Sequence, residues 1–179
     1  MQGQGQQVEM GAENSALLSV DALTCIRGGR TLFSGLTLSL SSGQAVVVRG
    51  PNGIGKSSLL RVIAGLLDPA EGTVTADARM ALADEKLALD RELPLSRALL
   101  FWAKLDGAGQ GAVESALSDL GIGHLADVPV RMLSTGQRKR AMLARVVASG
   151  APIWLLDEPG NGLDAASLDL LALAMAAHR

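Results

Sequence analysis

Apolar positions fall into a regular pattern from Leu17 onward. Leu18, Val20 and Leu23 alternate imperfectly with polar residues, the chain turns at Gly28-Gly29, and Leu32, Leu36, Leu38 and Leu40 resume the alternation. A period of two sends one side of each segment to a core, so this stretch predicts short antiparallel strands joined by a turn. Ala45-Val46-Val47-Val48 is an unbroken apolar run and predicts a strand. The period then becomes helical, with Leu59, Leu60, Ile63 and Leu66-Leu67 as one apolar stripe. Gly72 to Ala76 predicts another short strand. From Leu93 to Leu120 the apolar residues Leu95, Leu99, Trp102, Val113, Leu117 and Leu120 recur at helical spacing, and Gly107 to Gly111 divides them into two helices. A helix is expected from Gly136 to Val147. Ile153-Trp154-Leu155-Leu156 reads as a buried strand, and Leu168 to Ala177 as a last helix packed on the core.

The 179 residues fit one domain. Apolar content of 48% supports a substantial core, but aromatics supply only 2% and Tyr is absent, so aliphatic residues and Ala must build it. The net charge of −2 provides no global basic field to draw in nucleic acid. Cys25 is the single cysteine, which excludes an internal disulfide and leaves no metal-ligand spacing. It reads as a small structural side chain. No apolar run approaches the roughly 20 residues that span a bilayer, so no direct membrane insertion is expected. Met1 to Ala16 is rich in Gln and Gly and carries no apolar period. It is expected to be a disordered tail, and it lacks the basic start and apolar middle of a signal peptide.

Chemistry enters at Gly50-Pro51-Asn52-Gly53-Ile54-Gly55-Lys56-Ser57, which reads G-x-x-x-x-G-K-S between the expected strand and the first helix. Its glycines let backbone N–H groups turn inward around phosphate oxygens, and the helix adds its positive N-terminal end. Lys56 is expected to reach the β- and γ-phosphates of ATP, and the Ser57 hydroxyl to hold Mg²⁺. Ser58 completes the expected nucleotide-contacting set. The strand at Ile153 to Leu156 ends in Asp157-Glu158, delivering two carboxylates to the sheet edge where ligands sit in open α/β sheets.

Leu133-Ser134-Thr135-Gly136-Gln137 resembles the LSGGQ signature of ABC ATPases, with Thr in place of the first Gly. Gly162-Leu163-Asp164 resembles their D-loop, and the order and spacing of all four blocks match that family from about Leu17 to the C-terminus. The resemblance implies an α/β fold: a P-loop nucleotide-hydrolase core with a parallel sheet, an antiparallel β-subdomain and an inserted helical subdomain at about residues 85–136, all within a nucleotide-binding domain spanning 17–179. It implies ATP and Mg²⁺ as ligands, Asp157 as a Mg²⁺ carboxylate and Glu158 as the base that orients the attacking water. It also implies a second copy of the chain, stacked head to tail. Ser134, Gly136 and Gln137 of one copy would then complete the γ-phosphate site of the other, since a helix start is an anion site. Arg138, Lys139 and Arg140 either add positive field there or form a solvated basic helix face.

Three positions depart from the family pattern. Arg27 stands where an aromatic residue stacks on adenine, and its guanidinium plane can stack in the same way. No Gln occurs between Gln44 and Gln110, so the γ-phosphate-linking Gln is missing near Asp84-Glu85-Lys86-Leu87, where Glu85 or Lys86 could stand in. The switch His is expected on a strand beyond Glu158, whereas His178 sits in an Ala-rich helix. The chain therefore reads as shortened at its C-terminal end.

The span from Lys56 to Leu133 leaves no room for the long coiled coils of DNA-tethering ABC ATPases. The segments Arg27 to Phe33, Leu99 to Ala103, Leu133 to Arg140 and Trp154 to Pro159 bring a narrower resemblance. They are similar to ATP-binding subunits of bacterial haem exporters serving cytochrome c biogenesis. That resemblance implies a peripheral subunit on the cytoplasmic face of the inner membrane, bound to integral membrane subunits. Two other readings stay open: the ATPase of another transporter or of soluble metal-cluster assembly, and a nucleotide-sensing module with little hydrolysis.

Overall fold

The computed structural model describes residues 16–84 and 88–179. The expected tail lies outside them apart from Ala16, as do Glu85 and Lys86, the two candidates for the missing Gln.

β1 (Leu18–Arg27) and β2 (Arg30–Leu40) are joined by the Gly28-Gly29 turn and pair antiparallel, from Leu18 opposite Leu40 to Arg27 opposite Arg30. At 10 and 11 residues they are longer than the imperfect alternation suggests. Breaks in the pairing register at Val20/Leu23, Leu23/Cys25 and Cys25/Ile26 explain the difference: β-bulges shift the alternation without ending a strand. β3 (Glu71–Ala76) pairs with the other edge of β1, giving the order β2-β1-β3. Val20, Leu23 and Cys25 face the core with at most 1% exposure, so Cys25 is a packed side chain.

Helix α1 (Lys56–Ile63) stops before Leu66-Leu67, shorter than its apolar stripe. Gly65 sits at φ 70°, a conformation that only Gly adopts freely. There its N–H donates to Val62 O, and the Leu66 N–H donates to Arg61 O. These two bonds form a Schellman cap, which satisfies the last carbonyls and ends the helix. Leu66 is consequently exposed.

β4 (Met80–Ala83) and β5 (Ile153–Leu156) form a parallel pair in register Met80 opposite Ile153 through Ala83 opposite Leu156. The expected strand at Ala45 to Val48 is not formed. Residues 44–50 carry no ladder bonds, and Val46, Val47 and Val48 are 51%, 71% and 41% exposed. A run of valines suits a pleated surface, but a strand also needs a neighbour to complete its hydrogen bonds. Among the described residues none pairs with this segment.

Helices α2 (Leu95–Leu105), α3 (Gln110–Asp119) and α4 (Thr135–Ala148) bury Leu95, Leu99, Val113, Leu117, Leu143 and Val146 in one core. Fully burying such a side chain contributes about 1.5–3 kcal/mol, so this core is the main fixture for α4 from Ala141 onward. A second core joins the antiparallel sheet, α1 and β5 through Val20, Leu23, Leu59, Val62, Ile153 and Leu155. α5 (Ala165–His178) departs from the expectation of a packed last helix. It buries only Ser167 and Leu171, leaving Leu168, Leu173 and Met175 exposed. Among the described residues no helix is long and apolar enough to cross a membrane.

Candidate functional site

The phosphate-loop sequence wraps into the start of α1. Gly55 caps that helix at φ 112°, and a Cβ there would lie 3.1 Å from the Leu32 Cβ and 3.4 Å from the Phe33 Cδ1. Any other residue would be strained and pushed against β2. The first turn of α1 carries no acidic side chain, so its N-terminal positive end is uncompensated and open to an anion. Arg27, Asn52, Gly53, Gly55, Lys56, Ser57, Ser58 and Glu158 line one cleft of 480 Å³ around it. Lys56 Nζ folds back over the loop, donating to Gly50 O at 3.0 Å and Pro51 O at 3.3 Å. Ile54 covers the loop, with its Cγ2 3.1 Å from where a Cβ on Gly50 would stand. The structure thus brings the loop residues, Arg27 and Glu158 to one place.

β5 carries the two carboxylates as expected. Asp157 is 6% exposed, and its N–H donates to Ala83 O at 2.8 Å, continuing the β4–β5 ladder by one residue. Glu158 has φ 45°, a left-handed conformation that a non-Gly residue adopts at a cost of about 1–3 kcal/mol and that clusters at functional sites. The twist turns the side chain away from the strand line and toward the phosphate loop. Its Oε1 lies 3.8 Å from Lys56 Nζ, with both side chains partly exposed. Such a pair is worth no more than about 1 kcal/mol, so a polyphosphate can displace it from Lys56.

Asn161, which the sequence reading passed over, donates from Nδ2 to Glu158 Oε2. The signal was present in the turn composition of Pro159-Gly160-Asn161-Gly162, because Asn in such a turn places a short amide beside the preceding backbone. The Asn161 N–H also donates to Glu158 O at 3.1 Å. Asn161 thereby holds both the carboxylate and the backbone carbonyl of Glu158, with Lys56 on the other carboxylate oxygen.

The signature segment stands elsewhere. Ser134 caps α4 by accepting from the Gln137 N–H at 3.3 Å, while Gln137 Oε1 accepts from the Ser134 N–H at 2.8 Å, a reciprocal capping box. Ser134, Gly136 and Gln137 do not line the phosphate cleft of their own chain. A second cleft of 370 Å³ is lined by Thr135, Arg138, Lys139, Met142, Asp157, Glu158, Asn161 and Gly162, so Glu158 borders both spaces. The basic run after the signature is not simply a solvated face. Arg138 Nε donates to Leu133 O at 2.8 Å, Lys139 Nζ to Asp157 O at 3.4 Å, and Arg140 Nη1 to Leu120 O and Gly121 O, both at 3.4 Å. These side chains fasten α4 to its surroundings.

Asp164, which ends the D-loop-like motif, caps α5 by accepting from the Ser167 N–H at 2.8 Å. Hydrogen bonds from the Ser167 side chain and backbone hold its carboxyl below the usual aspartate range. His178 stacks on Trp154 at 3.8 Å between ring centroids, where burial lowers its pKa. It lines neither cleft.

A strand that delivers an acidic pair beside a glycine-rich loop, with a capped signature helix across from it, defines a nucleotide-hydrolysing domain. Residues 33–161 match the family model described as ABC transporter, and the chain belongs to that family. It is an ATP-hydrolysing subunit. Its relatives narrow the class to the cytochrome c biogenesis ATP-binding export proteins. The CcmA protein of that name from Sphingopyxis alaskensis is 57% identical over 92% of this chain and 85% of its own length. The one from Zymomonas mobilis is 53% identical over 92% of this chain and 74% of its own. Among solved structures, a metal-chelate type ABC transporter in an inward-facing conformation is 27% identical, with a TM-score of 0.76 over 92% of this chain and 68% of its own.

Proposed function

We propose that this chain is the ATP-driven engine of a haem exporter for cytochrome c biogenesis, peripheral to the cytoplasmic face of the bacterial inner membrane. The observation that carries this reading is the 57% identity to an export protein of that system, over most of both chains. Two copies stack head to tail, and each places Ser134 and Gly136 against the ATP of the other. Support comes from the capped start of α4, which stands apart from its own phosphate cleft and so is available to a second molecule.

Lys56 leaves Gly50 O, Pro51 O and Glu158 to meet the β- and γ-phosphates. Arg27, on the wall of the same cleft, contacts the adenine or ribose. Ser57 and Asp157 offer a hydroxyl and a carboxylate, a hard-oxygen set suited to Mg²⁺, which usually keeps several waters and binds through few protein ligands plus phosphate. When bound, Mg²⁺ neutralises charge developing on the phosphate oxygens. Glu158, freed from Lys56 and still held by Asn161, orients and deprotonates the attacking water. Loss of the γ-phosphate removes what the partner's signature helix grips, and the pair reopens. Integral membrane subunits use that opening and closing to move the cargo.

The reading predicts that the tagged chain, extracted in mild detergent from a bacterium carrying the cytochrome c biogenesis genes, co-purifies with integral membrane proteins encoded beside it. Those proteins should be lost when their genes are deleted. Recovery with the membrane subunits of an unrelated transporter, or with none, would overturn the assignment.

A further inference from the structure

Three contacts outside the phosphate cleft converge on the end of β4 and the chain that leaves it. Arg145, on α4, donates from Nη2 to Leu82 O. Its guanidinium carbon lies 5.2 Å from the centroid of the Trp102 ring on α2, within cation–π range. Trp102 Nε1 donates to Ala88 O at 2.6 Å. Arg61, on α1, donates from Nη2 to Asp84 Oδ2 at 3.3 Å. Arg145 and Trp102 therefore hold the backbone at Leu82 and at Ala88, and Arg61 holds a side chain between them.

We propose that Arg145 and Trp102 are positioning residues for hydrolysis, which tie the signature helix through Leu82, Asp84 and Arg61 to the phosphate-loop helix. Arg145 shares α4 with the Ser134 cap and Gly136. Arg61 shares α1 with Lys56 and Ser57. A shift of α4 as a second copy engages is passed to α1 without touching nucleotide. A planar guanidinium suits this place: it stacks on the indole and donates to a carbonyl at once, which a lysine ammonium cannot match. Burial lowers the pKa of Arg145, and Asp106 and Asp84 oppose that shift, so it stays a cation in its half-buried place.

The proposal rests on the two-copy reading, and the test separates the two. Trp102→Phe keeps a ring but deletes the donor to Ala88 O. Arg145→Lys keeps the charge but loses the planar stack. Both are compared with the wild-type protein by ATP affinity at protein concentrations too low for pairing, by kcat as concentration rises, and by Tm. In both variants, kcat is expected to fall about tenfold, within the range for changes along a coupling network. Single-site ATP affinity should stay within about twofold and the fold should be retained. Adding Arg61→Ala to Arg145→Lys should lower kcat no further than the stronger single change, because both cut the connection through Leu82 and Asp84. Wild-type kcat in both single variants, or fully additive losses that follow Tm, would overturn the clamp. Wild-type turnover that does not rise with concentration would overturn the two-copy reading and the clamp with it.

Discussion

Glu158→Gln is expected to bind Mg-ATP as the wild-type protein does while steady-state hydrolysis falls by about 10²–10⁴-fold, the usual contribution of a positioned general base. The geometry makes the separation of binding from turnover sharp. Glu158 borders the phosphate cleft but holds Lys56 at 3.8 Å in a partly exposed pair of little energy. Removing its charge takes little from affinity, whereas the water loses the one carboxylate that, among the described residues, borders both clefts; the buried Asp157 beside it lines only the second. The amide can still hydrogen-bond Asn161, so the strained backbone at φ 45° keeps its support. Phosphate release and nucleotide affinity measured on the same preparation decide it. Turnover near the wild-type rate would remove Glu158 from the role of base.

Lys56→Ala should act on the other quantity. Its ammonium already lies over the loop, donating to Gly50 O and Pro51 O, so it needs only a small swing to reach phosphate oxygens. Hydrogen bonds to charged groups are worth about 1.5–3 kcal/mol, which predicts roughly ten- to hundredfold weaker ATP binding from one lost contact. Arg27→Ala in the same titration should cost only on the order of 1 kcal/mol, as befits a partly exposed stack, and an aromatic residue there should preserve affinity. If the two alanine variants bind equally well, the phosphate loop is not where the triphosphate sits. If Arg27→Ala binds like the wild-type protein, Arg27 is a surface charge.

The parts legible in the sequence were those where chemistry dictates the local backbone. Gly55 at φ 112° against Leu32, and Asp157-Glu158 at the end of a four-residue apolar strand, follow from the need to bring N–H groups and carboxylates to phosphate. The capping box of Ser134 and Gln137 is likewise a local matter. What was misread depended on partners distant in the chain. Val46 to Val48 have strand propensity but no paired neighbour among the described residues. α5 is apolar on nearly every side, so its sequence does not indicate which face Ser167 and Leu171 would bury. The helix stripe through Leu66-Leu67 overran a stop signal at Gly65 whose force lies in two cap hydrogen bonds. Arg138, Lys139 and Arg140 look solvated in a linear sequence, yet each finds a carbonyl once α4 is packed. The turn composition around Asn161 marks a turn, but that its amide meets the Glu158 carboxylate follows only from the folded loop.

The central claim is that ATP, and not ADP, closes two copies of this chain around a shared site. Sedimentation of Glu158→Gln tests it most directly, because blocked hydrolysis should preserve the closed state. With saturating Mg-ATP the account predicts a species of twice the chain's 18.4 kDa, reverting to the single mass with Mg-ADP or when Lys56→Ala is added. A single mass in saturating Mg-ATP, or the same dimer with ADP as with ATP, would contradict it.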